Sequence, residues 1–294
     1  PVVARPVLPL FTEVVLQFSI SLSTVHKLTV SRVNDCAGNS IGSINTAAAG
    51  IAEAATYFDI VINEILFNPP PGGYDYIELY NRSKKIINLQ QLYAANKNAV
   101  GNLTNIQQLA DKPILLFPGD YCVISENTDW IRSHYPLKGQ PIYLELSSLP
   151  SMPDDKEHLA IINMQGELID QLQYDNKWHF ALIDNPEGIA LERINYNDST
   201  QNNNNWTSAA ATSGFGTPGY QNSQFRADLI PQGMVTVFPK IFDARNASFT
   251  TISCRFAEPG FVVNIFIFDS KGRLVRKLTS NTTMGHSANF NWDG

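Results

Sequence analysis

The chain of 294 residues has no apolar run near the roughly 20 residues needed to cross a bilayer, so it is not membrane-spanning by helices. It is also poor in charge. Asp, Glu, Lys and Arg make up 16%, against roughly 25% in ordinary soluble proteins. The net charge is -6. No basic stripe is present to meet phosphates, which argues against nucleic acid as a partner. There are three cysteines, Cys36, Cys122 and Cys254, with no CxxC pair. That argues against a metal knot and against a disulfide framework. Each reads as a small buried hydrophobe. His134, His158 and His179 are widely spaced and form no HExxH or HxH signature, so each reads as a surface or packing residue. A signal peptide is also missing. Because Pro1 reads as the middle of a domain, that says nothing about export.

What is present points to β structure outside the cytosol. Hydrophobic residues are 44% and aromatic residues 11%, enough for cores in two or three domains. Asn, Gln, Ser and Thr supply the polar surface. The organising stretch runs from Asp59 to Asn81. Ile60, Ile62 and Leu66 alternate with more polar neighbours, the period of a half-buried strand. Pro69-Pro70-Pro71-Gly72-Gly73 removes backbone donors and reverses the chain. Tyr76, Ile77, Leu79 and Tyr80 begin the partner strand.

Ile62-Asn63-Glu64, Pro69, Asp75, Ile77-Glu78-Leu79 and Asn81 together resemble the opening of a bacterial lamin tail domain. Asn205-Trp206-Thr207-Ser208-Ala209 and Gly216-Thr217-Pro218-Gly219, followed by Asn222-Ser223, are similar to that family's closing pattern. Between them, Pro118-Gly119-Asp120 and the hairpin around Asn163-Met164-Gln165-Gly166 fit family segments, with Asp170 and Tyr174 in place. Gly188 to Arg193 continues the match. The resemblance covers about half the chain and implies a β-sandwich. It implies no particular chemistry, because one fold hosts many functions.

The flanks resemble other Ig-like units. Asn34-Asp35-Cys36-Ala37-Gly38-Asn39 is similar to the closing turn of S-layer-type Ig-like repeats. Val237-Phe238-Pro239, Gly272-Arg273-Leu274-Val275-Arg276 and Trp292-Asp293-Gly294 resemble the Ig-like domain of flagellar hook-capping proteins. A similar domain occurs in secreted multidomain Bacteroidetes surface proteins. The expected fold is all-β: tandem immunoglobulin-like β-sandwiches, the central one lamin-tail-like, with partial Ig-like domains on both sides. The expected division is an Ig-like part at 1–45, a linker at 46–56 and the lamin-tail-like sandwich at 57–224. A linker at 225–233 and an Ig-like part at 234–294 follow. Both flanking units read as truncated, which would leave open strand edges. Within the central unit, 93–111 reads as an irregular insertion. A short helix is expected over 130–135, with Asp129 as its cap.

Several residues are candidates for chemistry. Glu64, Asp75, Glu78 and Asn81 form the best acidic constellation. If their strands pair, Glu64 and Glu78 approach. Two close carboxylates can raise one pKa for acid-base work, or hold Ca²⁺. They can equally fix strand register. Strict alternation puts Ile62 and Glu64 on one face, mixing buried and polar partners, so the pattern leaves the orientation open. Asp35 with Asn39 is a second Ca²⁺ candidate or a turn. Trp178, Trp206, Tyr174 and Tyr220 offer an aromatic platform for a ligand such as a sugar, or packing for the core. Asp154, Asp155 and Glu157 read as a solvated loop. Gly38-Asn39-Ser40-Ile41-Gly42 matches the nucleophile-elbow pattern, followed by an alanine-rich stretch. The chain lacks the strand–helix alternation of a parallel sheet, so a domain-closing turn is the better reading.

No cofactor is expected, Ca²⁺ being the one metal in view. The expected function is a non-catalytic structural or binding module of a secreted or cell-surface multidomain bacterial protein, serving adhesion, spacing or ligand presentation. Expected partners are a protein or glycan at the cell surface, and other copies through edge strands. The alternative is an accessory domain of a secreted hydrolase or nuclease.

Overall fold

The computed structural model describes residues 2–9, 13–19, 24–35, 37–43, 45–180, 183–226, 235–246, 248–256 and 260–294. Cys36, much of the expected linker at 225–233 and the boundary at 234 lie outside these residues. Among the described residues the fold is β throughout, with one short α-helix.

The first part forms two hairpins. β1 (Val2–Pro6) pairs antiparallel with β2 (Val14–Phe18), and β3 (His26–Thr29) with β4 (Thr46–Ala49). β4 falls in the stretch expected to be a linker, where the alanine run carries no period to reveal a strand. Asp35 sits in the turn between β3 and β4. Its carboxylate accepts the backbone N–H of Ala37 and Asn39 and the Asn39 side-chain amide.

The central unit is a sandwich. Its strands in order are β5 (Ile60–Leu66), β6 (Tyr76–Asn81), β7 (Ile87–Asn88), β8 (Leu92–Lys97), β9 (Leu103–Gln108), β10 (Leu115–Leu116) and β11 (Tyr121–Ser125). β12 (Ile142–Glu145), β13 (Lys156–Asn163), β14 (Leu168–Asp175), β15 (Leu191–Arg193) and β16 (Trp206–Ser208) follow. One sheet has the order β12-β11-β6-β5-β15-β16, and the facing sheet β14-β13-β8-β9. The expected insertion at 93–111 is thus mostly a hairpin, β8 with β9. Its Asn- and Gln-rich composition hides it, because only one face of this edge hairpin meets the core.

Between the sheets lies the main core, with Ile60, Ile62, Ile65, Phe67, Ile77, Leu79 and Ile124 from one side and Leu92, Leu159, Ile161 and Leu172 from the other. A second core covers the outer face of the six-stranded sheet. There Leu66, Tyr76 and Val123 meet Ile131 and Tyr135 of the crossover, together with Ala190 and Ala209. The helix α1 (Thr128–His134) makes that crossover between the parallel strands β11 and β12. Asn127, not Asp129, is its N-cap: the Asn127 side chain accepts the Trp130 N–H. Asp129 instead lies in the first turn and pairs with Arg132.

Because both faces of the six-stranded sheet are covered, all seven residues of β5 are buried. Simple alternation therefore fails there. The register shifts between Ile62 and Glu64, so Asn63 is an extra residue in the β5–β6 ladder. Such a bulge re-aims everything beyond it. Ile60 and Ile62 face the main core before the bulge, Ile65 and Phe67 after it. Glu64 and Leu66 are turned to the outer face.

The last part holds β17 (Val235–Phe238), β18 (Thr250–Arg255), β19 (Val262–Phe268), β20 (Leu274–Thr283) and β21 (Ser287–Trp292). β18 pairs with β17 and β21, while β19 and β20 form their own hairpin. β19 is an almost unbroken apolar run. It alternates between exposed and half-buried residues, since only one face packs on the small core of Ile252, Cys254, Met284 and Phe290.

Candidate functional site

Three carboxylates lie in a row across the centre of the six-stranded sheet. The register places Glu78 opposite Glu64 on the β6 side, and Glu192 opposite Glu64 on the β15 side. All three are fully buried. They lie beneath the segment that follows β16, which crosses the outer face of the sheet.

That segment supplies most of their hydrogen bonds. Glu64 Oε1 accepts the Thr217 N–H at 2.8 Å and the Tyr76 hydroxyl at 2.5 Å. Glu78 Oε2 accepts the Gly219 N–H at 2.5 Å, and its Oε1 accepts the Asn63 side-chain amide at 2.8 Å. Glu192 accepts the Gln224 N–H at 2.8 Å and the Ser223 hydroxyl at 2.9 Å. Among the described residues no lysine or arginine forms an ion pair with any of the three.

Thr217 fixes the charge state of the row. Its Oγ1 lies 2.7 Å from Glu64 Oε2 and 2.9 Å from Glu192 Oε1. A hydroxyl has one proton to donate. It satisfies one carboxylate, so the other contact needs a proton from the carboxyl itself. The electrostatics agree. Burial, then the Glu192 charge, raises the pKa of Glu64 to about 8. Burial and the Glu64 charge push Glu78 up as well, and burial raises Glu192. The row therefore holds shared protons at neutral pH and titrates as a unit.

The opposite face of the same strands carries a second buried polar group. Arg193 and Asp170 pair at 3.5 Å, both fully or almost fully buried. Arg193 Nε donates to the Ile62 carbonyl at 2.9 Å, and Asp170 accepts the Ile62 N–H at 2.8 Å. Thr200 links the two, bonding Arg193 Nη2 and donating to Asp170 at 2.6 Å. The pair takes up the backbone groups of Ile62 beside the bulge, where β5 no longer pairs with β15. It also ties β14 of one sheet to β5 of the other.

The sequence candidates are distributed as follows. Glu64 and Glu78 come together, as strand pairing required. Asn81 turns away, its side-chain amide donating to the Lys85 and Leu116 carbonyls. Asp75, just before β6, has its carboxyl pKa raised to about 7 by burial, then by the Asp154 and Glu126 charges. Asp35 is remote, in the first part of the chain; the Asn39 side chain that bonds it lowers its pKa. No group of three or more His, Cys, Asp or Glu side chains among the described residues is arranged to hold a metal ion. Ser40 donates to Asn34 in an exposed turn with no helix behind it. Cys122 and Cys254 are free and buried.

The aromatic candidates separate. Trp178 and Trp206 line one cleft, together with His179. Tyr220 lies elsewhere, with the Lys138 ammonium 4.5 Å from its ring centre. Tyr174 is buried, stacked on Phe67 at 4.5 Å. Glu192, Arg193, Thr217 and Asn222 are the residues sequence reasoning did not single out. Their signal lay in the Gly188–Arg193 and closing motifs, which marked fold without naming roles.

Residues 53–176 match the family model of the Lamin Tail Domain. Comparison with curated proteins returns no match. The match ends before β15 and the closing segment, so the row's third carboxylate and its cover lie beyond the matched residues.

Proposed function

We propose that the chain is a non-catalytic structural and binding module of a secreted or cell-surface multidomain protein. In this reading the lamin-tail-like sandwich, 57–224, is carried between parts of two Ig-like domains, 1–45 and 234–294. Its role is adhesion, spacing or ligand presentation, with a protein or glycan of the cell surface as partner. Self-association through exposed strand edges is part of the same reading, and light scattering at high concentration reads it as a mass above the monomer.

The observation that carries the proposal is the sealing of the acidic row. Glu64 and Glu78, the acid-base pair the sequence offers, are with Glu192 fully buried and bonded to the chain's own closing segment. A general acid or base must reach a substrate proton within hydrogen-bond distance. These carboxylates instead hold Thr217, Gly219 and Gln224 in place.

The test is incubation of the full chain with glycoside, ester, DNA and RNA substrates, with EDTA and with Ca²⁺ or Mg²⁺. The proposal expects no turnover above the uncatalysed rate. Hydrolysis that Glu64→Gln or Glu78→Gln abolishes would overturn it in favour of a hydrolase or nuclease.

A further inference from the structure

A cleft of about 230 Å³ opens where the central sandwich meets the C-terminal strands. Asn203, Asn204, Trp178 and His179 contribute from the sandwich, and Asn291, Arg276 and Asp293 from the other side. The two sides are joined directly: Asn291 Nδ2 donates to the Asn204 carbonyl at 2.5 Å. Pockets concentrate at such junctions, and drug-sized ligands use roughly 300–1,000 Å³. This one suits a single ring.

Its chemistry is selective. Trp206 and Phe249 also line it but are themselves buried, with arginines over their rings. Arg193 lies 5.4 Å from Trp206 and Arg226 3.8 Å from Phe249. Trp178 is half-buried: it packs on the main core and also lines the cleft, so it is the ring with surface left for a ligand. Around it stand amides that both donate and accept, and the Arg276–Asp293 pair at 3.2 Å. An apolar face flanked by mixed donors and acceptors complements a sugar ring, whose C–H face is apolar and whose hydroxyls do both.

One polar atom next to the cleft is buried without a partner. His179 is about nine-tenths buried, and its Nε2 has no hydrogen-bond partner. Its Nδ1 lies 2.8 Å from Ser208 Oγ, which also accepts the Phe180 N–H at 3.0 Å. A hydroxyl oxygen has two lone pairs, so Ser208 Oγ can pair with Nδ1 in either ring tautomer. In either tautomer Nε2 stays a buried polar atom without a partner. Leaving such a group unpaired is costly.

We infer that this cleft is a saccharide-binding site, with Trp178 as the stacking platform and the Asn203, Asn204 and Asn291 amides reading hydroxyls. The inference rests on the binding-module reading and names its ligand class.

The test uses the full chain and a panel of methyl glycosides: glucose, galactose, mannose, N-acetylglucosamine and glucuronic acid. Saturation-transfer NMR follows binding and also shows whether each glycoside stays intact. The expected result is saturable binding of at least one member with Kd near ~1 mM, weakened about tenfold by Trp178→Ala. Trp178→Phe, which keeps a ring, weakens it less and serves where the alanine variant fails to fold. Absence of saturable binding across the panel overturns the site and leaves the non-catalytic reading standing. Binding indifferent to both Trp178 variants also overturns it. Trp178-dependent binding with release of methanol supports the site and overturns the non-catalytic reading.

Discussion

Asn222 closes on Asn63 across the central unit. Asn63 Nδ2 donates to Asn222 Oδ1 at 2.7 Å, and Asn222 Nδ2 donates back to the Asn63 carbonyl at 2.9 Å. The same Asn222 amide reaches the Arg193 carbonyl at 2.8 Å. One residue of the closing motif thus pins the bulge of the opening motif. Asn222→Ala should cost ~2–4 kcal/mol, because several buried groups lose partners together. Urea unfolding reads this as a lower midpoint with unchanged slope. A loss under ~0.5 kcal/mol, the size of an ordinary surface change, would show that the bulge is held without it.

The buried Arg193–Asp170 pair should be intolerant of half-removal. Arg193→Met leaves Asp170 buried without its cation, and Asp170→Asn does the reverse. Each is expected to destabilise by ~3–5 kcal/mol. Arg193→Lys should rescue little, since one ammonium cannot reach the Ile62 and Asp198 carbonyls and Thr200 together. A lysine variant as stable as the parent, measured by the same unfolding, would contradict this geometry.

Gly219 is expected to resist substitution. It sits at φ +95°, and an added Cβ would come within 2.3 Å of the Pro141 ring. Its N–H must also stay on Glu78. Gly219→Ala should therefore lose at least ~2 kcal/mol through strain and overpacking together. Gly166→Ala is the control: it shares the positive φ, but nothing lies within 4 Å of its added Cβ. It should cost only the conformational part, ~1–2 kcal/mol.

Metal should leave the central unit indifferent. Glu64 and Glu78 are occupied by Tyr76, Thr217, Asn63 and Gly219. Calorimetric midpoints in EDTA and in millimolar Ca²⁺ should agree. A rise with Ca²⁺ that Glu64→Gln or Asp35→Asn removes would establish a metal site, because a ligand binding only the folded form raises the midpoint.

Strands joined by an explicit turn were legible in the sequence. The hairpin of β13 and β14 turns at Gly166, as its Asn-Met-Gln-Gly loop announced. The β5–β6 pairing was legible too, and with it the meeting of Glu64 and Glu78. The direction of Glu64 was not. Alternation is a local signal, and the bulge at Asn63 is set by groups far away in the chain: Asp170, Arg193 and Asn222. Glu192 was hidden for the same reason. Its place in the row follows from β15 joining β5, a pairing that no local period encodes. The β8–β9 hairpin was lost to composition: Asn96, Asn105, Gln107 and Gln108 interrupt its apolar residues, and of its two alanines only Ala94 joins the main core.

The most direct test of the row as a proton-holding structural lock is urea unfolding across pH, for the parent and for Glu64→Gln. The folded state holds Glu64 protonated up to about 8, against an ordinary value of 4.5. Between those values the native state binds more protons than the unfolded chain. Its contribution to stability is thus full at low pH and is lost as pH rises, by up to ~1.4 kcal/mol per unit per proton. Glutamine copies the protonated carboxyl: its oxygen accepts from Thr217 N and Tyr76, and its amide donates to Thr217 Oγ1. The account predicts a parent that weakens from pH 5 to pH 9. The variant should match the parent at pH 5 and exceed it at pH 9. A parent that strengthens over that range, with Glu64→Gln weaker at pH 9, would mean ionised carboxylates and contradict the account.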